Sequence, residues 1–168
     1  KALSISDADD VTALYPLDLA TLKTGPKLFG VPGYDIDSII TDDSGTRLVG
    51  VNYTDTRPRT HWIDPALADI QTKLDAAVGT RTARIVSWSK DFQVLIVHVG
   101  GPDRPGAYYV YRQAEGVMHM MAMVNEALGL KGYGPVRTVK YKARDGLEIS
   151  AVLTLPRGKD PKNLPLIL

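Results

Sequence analysis

The sequence predicts a mainly β chain: two to three four-stranded blades of a partial β-propeller, one inserted helix, and a β-hairpin near the far end. Three observations carry this reading. The chain repeats itself at a spacing of 46 residues, within the range of propeller blades. Strand-like apolar runs alternate with short polar turns. One segment, between Asp64 and Gly79, has helical spacing instead. With 168 residues and 44% hydrophobic content, the chain can bury a core and lacks the signature of disorder.

The first 35 residues fit the scheme least clearly. Thr12-Ala13-Leu14-Tyr15 and Pro26-Lys27-Leu28-Phe29-Gly30-Val31 read as strands around Asp18 to Gly25, the closing half of an earlier blade. Beyond them the chain repeats. One ungapped shift of 46 lays Ile39-Ile40 on Ile85-Val86, Leu48-Val49-Gly50-Val51 on Val94-Leu95-Ile96-Val97, and Trp62-Ile63 on Tyr108-Tyr109. Each copy therefore runs strand, polar turn, strand, loop, strand. The turns are Asp42-Asp43-Ser44-Gly45 and Ser87-Trp88-Ser89-Lys90-Asp91. Two to three blades leave a ring open, so exposed sheet edges and self-association through them are expected.

Asp64 suits a helix N-cap, Pro65 the first turn and Gly79 the stop, while Leu67, Ile70, Leu74 and Val78 share one face. The helix is expected over 65–78, inserted between the third and fourth strands of the first full copy and packing one face onto the blade. Val117-Met118-His119-Met120-Met121-Ala122-Met123-Val124 holds all four methionines. Such a run can form an adaptable binding surface or supply sulfur ligands to haem or copper. The reading adopted is the last strand of a blade, or a strand leading into a short helix at Asn125 to Leu128, with Met filling core gaps.

Val136 to Ala143 and Leu147 to Leu155 flank Arg144-Asp145-Gly146, and Asp-Gly between alternating runs is a hairpin signal. Pro156, Gly158, Pro161 and Asn163 then mark a turn-rich connection into Leu164-Pro165-Leu166-Ile167-Leu168, a strand cut off by the chain's end. Three pieces of this stretch, Tyr141 to Leu147, Leu153-Thr154-Leu155-Pro156 and Leu164-Pro165-Leu166-Ile167, occur in an order that is more specific than any one of them. Together they resemble the opening of the α/β-hydrolase domain in the prolyl oligopeptidase (S9) family, particularly its bacterial acylaminoacyl-peptidase and dipeptidyl-aminopeptidase-like members. The resemblance implies a propeller ahead of a hydrolase domain. It also implies a His-Gly-Gly-Pro-type oxyanion loop, a Gly-x-Ser-x-Gly nucleophile elbow, an Asp and a His beyond Leu168. Residues 1–130 are accordingly expected as partial propeller and 131–168 as a linker with the first strands of a hydrolase domain.

The formal charge is +1, but 1–130 holds 12 Lys+Arg against 16 Asp+Glu and 131–168 holds 8 against 3. The shift falls near Gly129 to Pro135. Lys140, Lys142 and Arg144 alternate as outward strand positions do, and without clustered Arg no nucleic-acid partner is expected. The chain has no Cys, which excludes disulfides and thiolate metal sites. No apolar run approaches the roughly 20 residues that cross a bilayer, so no membrane partner is expected. The start at Lys1, without Met or signal pattern, has the look of a fragment boundary. A soluble chain is expected, with the compartment left open between cytoplasm and periplasm.

None of the seven serines, Ser4, Ser6, Ser38, Ser44, Ser87, Ser89 and Ser150, lies in Gly-x-Ser-x-Gly. His98-Val99-Gly100-Gly101-Pro102 imitates the family's oxyanion loop, yet the repeat sets His98 over Asn52 at a blade strand's end, so it is read as a loop. His61 has no partner at metal-ligand spacing. Asp7, Asp9 and Asp10, and Asp35, Asp37, Asp42 and Asp43, do not match the spaced calcium loop and read as turn and strand-end residues. No phosphate loop is present. No catalytic, cofactor-binding or metal-ligating residue and no cofactor is therefore assigned, and whether the chain is an enzyme is left open. The expectation is a non-catalytic piece of a serine peptidase whose propeller gates access of peptide substrates. The alternative is a non-enzymatic propeller that binds peptides or proteins.

Overall fold

The computed structural model describes residues 2–7, 10–129 and 133–165. The chain divides into two compact units, Lys1–Ile70 and Gln71–Leu168, and the division falls inside a helix.

The first unit opens with β1 (Ala2–Ser6) and β2 (Ala13–Leu17), paired antiparallel with Ser4 opposite Tyr15. β1 is absent from the sequence reading. The second run expected as a strand, 26–31, makes only bridges: Leu14 N–H donates to Phe29 O and Leu28 N–H to Leu14 O, both at 2.8 Å. Pro26 has no N–H to give a ladder. β3 (Ile36–Thr41), β4 (Leu48–Thr54) and β5 (Pro58–Trp62) then form a three-stranded antiparallel sheet in chain order. Leu14, Ile36 and Val51 are buried at the centre of this unit, with Phe29, Ile39, Leu48 and Tyr53 packed around them. Thr12 locks β2 to the start of β3. Its N–H and hydroxyl donate to Asp35 Oδ1 at 2.7 and 3.1 Å, and Ile36 N–H returns to its Oγ1 at 3.0 Å.

The helix α1 (Pro65–Val78) begins and ends at its caps. Asp64 Oδ1 accepts the N–H of Ala66 at 2.9 Å and of Leu67 at 3.3 Å, and Gly79, at φ 63°, donates to Asp75 O at 3.2 Å. Leu67, Ile70 and Leu74 are each no more than 1% exposed. Its place in the fold differs from the expectation of an insertion between third and fourth strands. β5 leads into α1 and α1 leads straight into the next sheet, so the first copy has three strands. The shift of 46 pairs residues 71–77 with the fourth strand of the second copy. Those seven residues, Gln71-Thr72-Lys73-Leu74-Asp75-Ala76-Ala77, are good helix formers without a β-branched or aromatic run, and they coil instead.

In the second unit β6 (Thr82–Trp88), β7 (Val94–Gly101), β8 (Arg104–Arg112) and β9 (Val117–Met123) form a four-stranded antiparallel meander in chain order. Gln71 ties α1 to it, Nε2 donating to Ala83 O at 2.9 Å. Among the described residues this is the one four-stranded sheet, where two to three were expected. Thr82, Val94 and Arg104, its first three strand starts, stand 46 residues beyond Ile36, Leu48 and Pro58. Ala83, Ile85, Leu95, Val97, Val99, Ala107 and Tyr111 form its buried face.

The even spacing conceals irregularities. Each first hairpin carries one extra residue near its turn, on β4 opposite Ile40 and Thr41 in the first copy, and on β6 opposite Val97 and Ile96 in the second. The bulges lie on opposite strands and together cancel a two-residue difference in register at the turns, where Thr41 faces Leu48 and Trp88 faces Leu95, so Ile39 facing Val51 recurs as Ile85 facing Val97. At the third strand the shift fails by two. Val51 faces His61 while Val97 faces Tyr109, which sets Trp62 against Val110 rather than Tyr108. An even slip leaves the same face inward.

The remainder of the second unit holds α2 (Glu126–Gly129), whose Leu128 N–H is capped by Asn125 Oδ1 at 2.9 Å, and the hairpin of β10 (Val136–Lys142) and β11 (Glu148–Thr154). Gly146 N–H donates to Ala143 O at 3.0 Å, Ala143 N–H to Leu147 O at 2.8 Å, and Gly146 sits at φ 88° where a side chain would be strained. The last residue of the expected propeller, 130, the start of the expected linker, 131–132, and the end of the expected strand, 166–168, lie outside the described residues.

Candidate functional site

The second unit holds an open cleft of about 380 Å³ lined by Ala77, Val78, Thr80, Arg81, Val99, Tyr109 and Met118. Gly79 creates it by ending α1. Arg81 N–H then bonds Val78 O at 3.3 Å, which swings Thr80 and Arg81 to the rim. The floor is the sheet face where Val97 stands opposite Tyr109 and Val99 opposite Ala107. Among the described residues the Arg81 guanidinium makes no ion pair, although its field reaches Asp103. Asp103 is held below the ordinary carboxylate value first by Arg104, which donates to its Oδ2 at 3.0 Å, and further by Arg81. An aliphatic floor, a phenol and a rim cation suit an apolar side chain next to a carboxylate or carbonyl oxygen. Val99 belongs to the His98-to-Pro102 run and Met118 to the methionine run, but no motif gathers the seven residues. The cleft arises where a helix end meets a sheet face, and only the Gly79 stop signal pointed to it.

The motifs weighed in the sequence serve the fold. His98 Nε2 lies 3.1 Å from Pro105 O and its ring stands 5.3 Å from that of Tyr108. A Cβ on Gly100 would come within 2.8 Å of His98 Cε1. One on Gly106, at φ 84°, would overlap Val99 O and stand 2.8 Å from Gly100 Cα. The glycines beside His98 thus make room for the β7–β8 hairpin. His61 stacks on Phe29, rings 4.6 Å apart at 19°. His119 Nε2 lies 3.4 Å from Glu115 Oε2.

In the second acidic cluster Asp35, Asp37 and Asp42 are committed to hydrogen bonds, while Asp9 of the first lies outside the described residues. Asp42 Oδ1 accepts the N–H of Thr46 and Arg47, both at 3.1 Å; these and the Ser44 hydroxyl hold its carboxyl below the usual value, Arg47's N–H most of all. Asp35 caps Thr12, and Asp37 Oδ2 accepts the Thr54 hydroxyl at 2.8 Å. Asp64, 7% exposed, accepts Arg47 Nη1 at 2.6 Å on the oxygen not used for capping. Arg47 is the leading cause of its lowered pKa.

The methionines correct an expectation. Met120, Met121 and Met123 are 58%, 56% and 39% exposed on β9, so they do not fill core gaps. Among the described residues β9 is an edge strand, paired with β8 alone, and its apolar side chains stand exposed. Nor do the described residues hold a nucleophile with its base. Ser38 Oγ meets Asn52, Ser44 meets Asp42 and Thr46, Ser89 meets Asp91, and no serine hydroxyl contacts a histidine.

No protein-family model matches the chain. Over 166 residues, 95% of its length, it is 25% identical to dipeptidyl aminopeptidase BIII of Pseudoxanthomonas mexicana, and it spans 24% of that protein's length. A mainly β chain of successive antiparallel sheets, similar along nearly all its length to part of a peptidase, supports a peptidase relationship.

Proposed function

We propose that this chain is the non-catalytic part of a serine peptidase of the S9 kind: propeller blades over 1–130, followed over 131–168 by the first strands of an α/β-hydrolase domain. The observation that carries the reading is the coincidence of similarity along 95% of the chain with three strand starts that recur once, 46 residues on, in meandering sheets. The β10–β11 hairpin, closed by Asp145-Gly146, agrees with the resemblance of its sequence to a hydrolase opening. In this reading the blades restrict access of peptides to a triad supplied by other residues, and the cleft at Arg81 touches the passing peptide.

A fluorophosphonate probe and chromogenic dipeptidyl substrates test it. The 168-residue chain is expected to give neither labelling nor turnover, and robust labelling overturns the assignment. An antibody raised against the chain should draw from its source cells a longer polypeptide that the probe labels; recovery of an unlabelled longer chain counts against the peptidase. That outcome favours the second reading, a peptide-binding module. The cleft supports it independently, and titration with short acidic peptides should then perturb Thr80, Arg81 and Tyr109 resonances in wild type but not in Arg81→Ala.

A further inference from the structure

The floor of the Arg81 cleft extends past its walls along β9. Opposed residues of an antiparallel pair share a sheet face, so Met118, Met120 and Met123, which stand against Tyr111, Tyr109 and Ala107, lie on the face that floors the cleft. The register skips Met121, and this bulge keeps Met123, three residues beyond Met120, on that face. Met118 lines the cleft itself, while Met120 and Met123 are 58% and 39% exposed. An apolar strip of unbranched, adaptable side chains therefore leads away from the cleft. In the strand order β6-β7-β8-β9 the cation comes from the residue before β6 and the thioether from β9, so charge and apolar surface stand at opposite walls.

We propose that the cleft holds the free C-terminal residue of a peptide, its α-carboxylate on the Arg81 guanidinium and an apolar side chain over Tyr109 and Met118. The nearby acid is already taken. Arg104 grips both oxygens of Asp103, at 3.3 and 3.0 Å, and among the described residues Arg81 pairs with no carboxylate. Its planar fork of donors thus remains for an incoming one. A cleft of about 380 Å³ has room for a residue or two. A terminal residue fits it better than an internal Asp or Glu does. In an extended peptide neighbouring side chains point to opposite sides, so an internal acid and the apolar residue next to it cannot both enter, whereas a terminal carboxylate and its own side chain spring from one Cα. The assignment rests on the chain meeting peptides, as both readings above have it. Labelling by a fluorophosphonate tests the peptidase without the cleft, and titration of this chain tests the cleft without a nucleophile, so the two fail separately.

The test is an NMR titration of the full 168-residue chain carrying ¹³C-methyl methionine, with N-acetyl-glycyl-leucine as probe and its C-terminal amide as comparison. All four methionines lie in the one run, so their methyl signals report on it alone. The acid should bind saturably, about tenfold or more tighter than the amide, and should shift the Met118 and Met120 methyls together with Tyr109. Arg81→Gln should bind acid and amide alike, the retained amide binding showing that the cleft is intact. Arg84→Gln should keep the preference, because Arg84 lies between buried Ala83 and Ile85 and so faces the other side of β6. No saturable binding of the acid, equal affinity for acid and amide in wild type, or a preference that survives Arg81→Gln overturns the proposal. If N-acetyl-leucyl-aspartyl-glycinamide binds as tightly as the acid, Arg81 reads acidic side chains instead, which overturns it equally.

Discussion

The two repeat copies share strand starts and diverge at one position, where Leu74 in the first corresponds to Met120 in the second. Leu74 is 1% exposed on α1 and Met120 is 58% exposed on β9. One unit of sequence spacing thus ends once in a helix that buries its apolar face and once in a strand that displays it. The spacing fixes where three strands begin. The fate of the segment after the third strand follows caps and pairing rather than propensity: Asp64 and Gly79 bracket Gln71 to Ala77 within a helix, whereas Val117 to Met123, rich in helix-forming Met and Ala, is held extended against β8.

The sharpest way to break this contrast is a matched truncation. Leu74→Ala should cost about 2–5 kcal/mol in urea unfolding, as buried leucines do, while Met120→Ala should stay within about 0.5 kcal/mol. Equal costs would mean that the two positions are buried alike. Next in size is Gly106→Ala in the β7–β8 hairpin. A Cβ there meets backbone at a positive φ, so a loss of about 1–3 kcal/mol is expected, and the β4–β5 turn over Asp55 to Arg57 has no such glycine to lose.

Asp64→Ala removes both the α1 cap and the Arg47 ion pair, for an expected loss of about 1–2 kcal/mol. Because Asp64 is held below the ordinary carboxylate value, its contribution is complete at neutral pH. It disappears as pH falls through that range towards the folded value, so unfolding of Asp64→Ala should respond less to acid than wild type. The smallest effect lies in the two equivalent turns. Gly45 at φ 69° corresponds to Phe92 at φ 57°. Gly45→Ala should cost about 1 kcal/mol, whereas Phe92→Gly relieves similar strain but gives up the ring contact with Trp88, leaving a change near zero by thermal melting.

Much of this was legible, and its limits have physical causes. Asp64, Pro65 and Gly79 delimit α1 and Asp145-Gly146 closes the hairpin because caps and turns are local chemistry, complete within a few residues. Register is not local. The cancelling bulges on β4 and β6, and the two-residue slip that moves the match of Trp62 from Tyr108 to Val110, depend on how neighbouring strands pack. β1 went unseen because Ala2 to Ser6 is short and defined by its partner β2. Met120 and Met121 read as core because hydrophobicity states a preference, while exposure depends on whether another layer arrives. The Arg81 cleft unites residues from α1, β7, β8 and β9, and no window along the chain contains it.

The order of strands also bears on how the protein folds. In both larger sheets every hydrogen-bonded neighbour is the next strand along the chain, β3 to β5 and β6 to β9. Closing each hairpin therefore loops out only a few residues, and the entropic barrier to every step is small. A contact that cannot form this way is Thr12 to Asp35, across 23 residues. It should be among the last to appear, which makes the β2–β3 junction the natural place for a slow phase in refolding kinetics.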